Sequence, residues 1–351
     1  METGELRTLV EESSNKLFQT SCPPVRYWLL TQVMERDERD AVLQDSIAAC
    51  NNYRAKVKLL EKLRPDGTWP IPTIKKAAED AGPGPPIGWT YRTILWNLFT
   101  LSEYNTSREE GHVNEAIHNL FKWQTEEGHI PGPWTDAFPV PYFNGLALYN
   151  LLRFGLERHP NVQKLTRWLL SEQRPDGGWI IPYLMDVHTL PEYRWMKMPS
   201  FMDLIRASDK SNFDLASLSH IPSCHWSTLV VIWGLSESKK QAKSRQVKKG
   251  AELVLNRFFK RNPHSTYYMS EAHWTRLRYP TRFGSGLMAL DLLTKLGYGP
   301  EDPRMEKPIS WLVSARSADG LWNYSQRPHP ERDQWISLIA LRTLHRYSKN
   351  R

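Results

Sequence analysis

Cysteine is scarce. The 351-residue chain has only Cys22, Cys50 and Cys224, too few and too scattered for a disulfide framework, so a reducing, cytoplasmic setting is expected. Long apolar runs are missing too. No segment is expected to span a bilayer, which leaves only peripheral membrane contact. The first residues are charged (Glu2, Glu5, Arg7, Glu11, Glu12) and lack the apolar core of a secretory leader. No stretch alternates with period two, so almost no sheet is expected. Concentrated charge is also rare. The net charge is +8, but basic residues are dispersed apart from a dense run over residues 239–249. That run precedes an apolar helical pattern and reads as a solvated loop and first turn, so nucleic acid is not an expected partner.

Aromatic residues are plentiful, with 15 Trp and 14 Tyr. Side chains of this size brace turns or line a cavity. The stretch Gln173-Arg174-Pro175-Asp176-Gly177-Gly178-Trp179 closes an amphipathic helix. Proline cannot continue the helix, glycine supplies the positive φ of a tight reversal, and the indole anchors the turn. Arg64-Pro65-Asp66-Gly67-Thr68-Trp69 and Arg316-Ser317-Ala318-Asp319-Gly320-Leu321-Trp322 are close copies. Gln124-Thr125-Glu126-Glu127-Gly128-His129-Ile130 is a worn one. Such self-similarity, at intervals of roughly 50 residues, marks a repeat architecture.

Between the turns, a more polar helix alternates with a more apolar one. Polar helices are expected over 112–124, 161–173, 246–260 and 304–316, after a long first helix over 41–63. Apolar helices are expected over 89–104, 142–155, 281–296 and 334–347, and from Cys224 to Gly234. One layer faces water and the other is buried on most sides. The fold class is therefore all-α, an α/α toroid of about five to six helical hairpins with Asp-Gly-Trp turns. We expect a single domain over 1–351, with a helical extension at 1–21 and an insertion at 182–221 acting as a lid.

The turns resemble the repeats of the prenyltransferase and squalene-cyclase superfamily. So do Pro24-Val25-Arg26-Tyr27-Trp28, Ser223-Cys224-His225-Trp226 and the segment from Tyr279 to Met288. The resemblance covers roughly residues 22–347 and implies a terpenoid-cyclase-like toroid, of the small single-domain kind. The motifs that the superfamily uses for catalysis are missing. There is no Asp-x-Asp-Asp proton donor, no Asp-Asp-x-x-Asp magnesium box and no Asp-x-Cys zinc pair.

Loops leading into the apolar helices would ring one rim of a toroid's cavity, which directs attention to their acids and imidazoles. Asp136, between Trp134 and Phe138, has the aromatic setting of a protonating acid, although an Asx-turn or helix cap is the favoured reading. Glu271 and His273 could serve as an acid–base pair beside Tyr267, Tyr268 and Trp274. Asp203 lies in the insertion, as does Asp186 with His188, where a lid would complete a site. Cys224, His225 and His220 are the weak zinc candidates. Adjacent ligands fit one ion poorly, so no cofactor is expected, and Cys224 reads as a small buried hydrophobe. Arg282 could hold an anion at a helix start. Trp89, Tyr142 and Trp226 complete the candidate substrate-binding set. The turn acids Asp66, Asp176 and Asp319 read as structural.

These features favour an enzyme of isomerase or lyase type. Its substrate would be a hydrophobic isoprenoid or polycyclic molecule held in an aromatic-lined cavity, where ring faces stabilise carbocations. A carbohydrate-active hydrolase or lyase, with paired carboxylates and stacked sugars, is one alternative. A non-catalytic lipid- or partner-binding toroid is another. Oligomeric state is not legible.

Overall fold

The recurring turns close on one hydrogen-bond scheme. A computed structural model describes residues 3–71, 88–132, 139–180, 187–188, 190–208, 220–263, 269–279, 284–325, 327 and 329–350. In each turn a main-chain N–H and carbonyl clasp across the loop: Arg64 N to Thr68 O, Thr125 N to His129 O, Arg174 N to Gly178 O and Ser317 N to Leu321 O, at 2.8–2.9 Å. The glycine of each turn has positive φ, +77° at Gly67, +106° at Gly128, +90° at Gly177 and +83° at Gly320. L-residues with a Cβ resist that conformation. The turn indoles then reach back. Trp69 Nε1 donates to the Leu59 carbonyl, Trp179 to Leu169 and Trp322 to Leu312, at 2.7–2.9 Å and each ten residues earlier. Each bond occupies a carbonyl near a helix C-terminus that has no intrahelical partner.

The described helices are α1 (Thr3–Thr20), α2 (Pro23–Gln32), α3 (Ala41–Asn51), α4 (Arg54–Glu61), α5 (Gly88–Glu103), α6 (Val113–Lys122), α7 (Pro141–Arg153) and α8 (Pro160–Ser171). They continue with α9 (Met198–Arg206), α10 (His225–Leu235), α11 (Lys239–Ala242), α12 (Arg245–Asn256), α13 (Gly286–Lys295), α14 (Glu306–Ser314) and α15 (Pro330–Lys349). The only extended pairing among the described residues is an isolated bridge between Trp179 and Cys224, so the fold is all-α. The sequence predicts one helix over 41–63. The chain instead breaks at Asn52 and Tyr53, because Asn51 and Asn52 favour local side-chain hydrogen bonding over helix continuation. Within residues 182–221, the helix α9 buries Phe201 and Ile205.

Two compact units emerge. One comprises residues 1–57, 251–262 and 267–351, and the other residues 58–250 and 263–266. In the first, α15 packs against α1, α2 and α13. The turn at Asp319 is held by α1, whose Lys16 ammonium donates to the Asp319 carbonyl. Gln334 accepts from the Cys22 N–H at 2.8 Å.

In the second unit, each turn is fastened outward onto the next polar helix. Gln124 Nε2 donates to its own Gly128 carbonyl at 2.7 Å and to the Asn161 carbonyl of α8 at 2.9 Å. Gln173 repeats this with Gly177 and with Gln246 of α12, both at 2.8 Å. Polar helices bury one stripe, such as Val113, Ala116, Ile117 and Leu120 on α6. Apolar helices are covered all round, with every residue over 141–151 on α7 and 225–235 on α10 buried.

The α7–α10 contact depends on glycine. A Cβ on Gly145 would lie 2.8 Å from the Val231 Cα, and one on Gly234 would collide with the Gly145 carbonyl oxygen. Gly234→Ala gains up to about 1 kcal/mol of helix propensity but forces the backbones apart, for a net loss of about 1–3 kcal/mol. Urea unfolding checks this, and unchanged stability would contradict so close an approach.

Candidate functional site

The first turns of α5 and α7 bring an aromatic group together within the second unit. Trp89, Tyr91 and Arg92 come from α5, and Tyr142 and Phe143 from α7, where Pro141 sits within the first turn and its missing N–H is harmless. The Arg92 guanidinium lies 4.6 Å from the Trp89 ring centroid and 5.5 Å from that of Phe143. A cation is thus held by the negative faces of two rings. Tyr91 is fully buried, with ring centroids 6.0 Å from Phe143 and 6.2 Å, edge-on, from Trp123. Its hydroxyl has no hydrogen-bond partner among the described residues. Burial pushes the Tyr91 phenol far above its ordinary value, so it stays protonated and is a hydrogen-bond donor without an acceptor. Tyr142 is buried with its ring perpendicular to Phe143 at 5.0 Å.

A second aromatic group lies further along the same helices. Tyr149 stacks on Trp233 at 3.9 Å, and Phe99 lies 5.6 Å from each. The Tyr149 hydroxyl donates to the buried Glu103 carboxylate at 2.9 Å. Glu103, Tyr91 and Arg92 are not distinguished by any motif in the sequence. The available signal was their position among the aromatics of an apolar helix, where a charged or phenolic side chain must find a partner.

Asp136, Trp134, Phe138, Tyr267, Tyr268, Arg282 and Asp186 lie outside the described residues. His225, the first residue of α10, is buried with its ring perpendicular to Trp226 at 4.4 Å, and Trp226 is buried with it. Cys224 caps that helix, its Sγ accepting from the Ser227 N–H at 3.4 Å, and its own N–H donates to the Trp179 carbonyl at 3.0 Å. His220 is exposed. Among the described residues, no three His, Cys, Asp or Glu side chains gather as a metal site. Asp203 is exposed on α9, and the His188 ring lies 4.6 Å from Phe201.

Glu271 is exposed in a 3₁₀ turn over Glu271–His273. The His273 Nδ1 lies 3.0 Å from the Ser270 carbonyl, and no hydrogen bond or ion pair joins it to Glu271. Burial holds the His273 imidazole below its ordinary value, helped by Arg276 and Arg278. Trp274 is buried and braces the loop through a 2.8 Å bond from Nε1 to the Lys260 carbonyl. The turn acid Asp176 accepts from Gly178 N at 3.1 Å, and from Ser223 N and Oγ at 2.9 and 2.7 Å, which is structural work.

No family model and no curated protein matches the sequence. Solved structures do. A protein from Actinoplanes is 12% identical over 99% of this chain and 99% of its own, with a TM-score of 0.46. The type II terpene cyclase MstE from Scytonema, in complex with its substrate geranylgeranyl dihydroxybenzoate, is 13% identical over 87% of this chain and 98% of its own, with a TM-score of 0.31. The same cyclase without ligand is 13% identical over 86% and 98%, with a TM-score of 0.28.

The strongest electrostatic feature lies in the first unit. Asp291 of α13 is buried and accepts from Arg342 Nε at 2.7 Å and Arg346 Nη1 at 3.1 Å, while Arg342 also donates to Gln32 at 2.7 Å. Burial pushes the Asp291 carboxyl up, but Arg342 and Arg346 outweigh it and hold it below the usual carboxylate range. A depressed value contributes stability above the unfolded pKa of about 4, and that stability disappears as pH falls through the folded value. Asp291→Asn is expected to lose about 3 kcal/mol at pH 7, because it strands the buried Arg342 guanidinium and the half-buried Arg346. It should also flatten the fall in stability below about pH 4. Urea unfolding at pH 7 and pH 3 checks both.

Proposed function

We propose that the chain is an enzyme acting on a hydrophobic isoprenoid or polycyclic small molecule. We place its binding wall at the group formed by Trp89, Tyr91, Arg92, Tyr142 and Phe143. One observation carries this reading: a buried, protonated Tyr91 hydroxyl without an acceptor stands among ring faces that already hold a cation. An unpaired buried hydroxyl costs about 1–3 kcal/mol, which a ligand oxygen would recover. Ring faces that accept a guanidinium would also accept positive charge developing on a hydrocarbon, at about 0.5–2 kcal/mol per contact. The repeat resemblance points to the same substrate class, and an acid from the rim loops, Asp136 first, would supply the proton. No described helix is long and apolar enough to cross a membrane, so a substrate this apolar would be delivered by a carrier or from a membrane surface.

A non-catalytic binding module is the second reading. It is favoured by the burial of every residue over 141–151 and 225–235, which leaves those stretches of α7 and α10 no open face for a reacting molecule. Turnover separates the two.

Titration with geranylgeraniol, followed by tryptophan emission, is expected to saturate, while hexadecane gives a weaker response. Tyr91→Phe should leave stability equal or higher, since it removes an unpaired hydroxyl, yet weaken geranylgeraniol binding by about tenfold. If no isoprenoid changes the emission of the native protein, this reading fails.

A further inference from the structure

A second concavity, in the second unit, has different chemistry. It lies where α7 ends, α8 begins and α11 follows α10. Leu152 and Leu170 contribute apolar surface, and its cavity volume is about 420 Å³. Arg158, Arg167 and Lys240 converge on it, together with the amide and hydroxyl side chains of Gln163, Thr166, Ser238 and Gln241. Glu157 is its only carboxylate.

None of the three cations has an ion-pair or hydrogen-bond partner for its charged group. Three other arginines are matched by carboxylates. Arg304 is bound by Glu252 and Asp302, and Arg342 and Arg346 by Asp291. The positive field extends past the rim. Residues 239–249 contain Lys239, Lys240, Lys243, Arg245, Lys248 and Lys249 and no acid. All six are exposed and without ion pairs. The sequence suggests a solvated loop and first turn here. The run forms α11 and the start of α12, and Lys240 lies at the wall of the concavity.

Three unmatched cations lining a cavity with hydroxyl and amide donors make a receptor for a compact phosphate-type anion. We propose that this pocket binds a phosphate or diphosphate group, carried by a free phosphorylated molecule or by a lipid headgroup. Its walls carry no aromatic side chain, so it lacks the stacking platform of a single-stranded nucleic-acid groove. It is also separate from the aromatic group. Phe143 and Leu152 lie at opposite ends of α7, about 14 Å apart at 1.5 Å per residue, so the inference does not rest on the proposed function.

The test is calorimetric titration of the full chain with inorganic pyrophosphate at low salt, alongside co-sedimentation with phosphatidylglycerol and phosphatidylcholine vesicles. Saturable binding of pyrophosphate identifies a free phosphate ligand. Binding to phosphatidylglycerol vesicles without pyrophosphate affinity identifies a headgroup. In either case the double variant Arg158→Ala, Arg167→Ala should weaken binding at least tenfold. Removing equal charge elsewhere, with Lys62→Ala and Lys122→Ala, should change it less than twofold. Helical circular dichroism reports that both variants remain folded, and Arg158→Lys with Arg167→Lys should restore part of the affinity. The proposal is overturned if neither probe binds, if both double variants weaken binding equally, or if an oligonucleotide binds and pyrophosphate fails to displace it.

Discussion

An indole N–H that reaches back ten residues to a helical carbonyl is the bond on which the described architecture depends. In the turns at Trp179 and Trp322 the same residue is also held through its main chain. Trp179 N donates to Thr228 Oγ1 at 2.9 Å and Trp322 N to Ser337 Oγ at 3.0 Å. Where the turn has Ile130 instead of tryptophan, its N–H goes to Asn144 Oδ1 at 2.8 Å. Each acceptor is a buried polar side chain on the helix that follows the turn. One residue therefore ties the end of one helix to the helix that follows the turn. Without it, the helix-terminal carbonyl and the turn N–H would both be buried unpaired.

The turns were legible because their chemistry is local. Proline, aspartate, glycine and tryptophan act within a few residues of one another, so adjacency in sequence stands in for adjacency in space. Helix alternation was legible because burial imposes a period. Asn144, Thr228 and Ser337 were not, since each resembles an ordinary polar substitution until its distant partner is known. The break at Asn52 and Tyr53 was hidden by apolar spacing that continues across it. At the candidate site, Trp89 and Tyr142 were picked out by loop position, but Tyr91 and Arg92 were passed over. Sequence gives the periodicity of a helix more readily than the reach of a long cationic side chain. Asp136, one of the candidate acids, lies outside the described residues.

Burial of polar groups takes two forms in this protein. Asn144, Thr228, Ser337 and Asp291 are buried and fully engaged, so each fixes one geometry. Tyr91 is buried and its hydroxyl is not engaged. The first kind gives an interior specificity. The second leaves a donor waiting among aromatic rings, in a protein whose other resources go into rigidity. Residues 141–151 of α7 and 225–235 of α10 are all buried, whereas Trp89 and Arg92, at the start of α5, are partly exposed beside Tyr91.

The clasp between neighbouring hairpins uses glutamine amides on main-chain oxygens, Asn161 and Gln246, rather than on side chains. A receiving helix presents such an oxygen whatever residue it carries there. Each hairpin can therefore drift, be duplicated or accept an insertion without renegotiating its fit to the next. Between the turn at Trp179 and α10, the chain carries about 40 residues, 182–221, while the Trp179 turn still bonds to Thr228 and Gln173 still reaches Gln246.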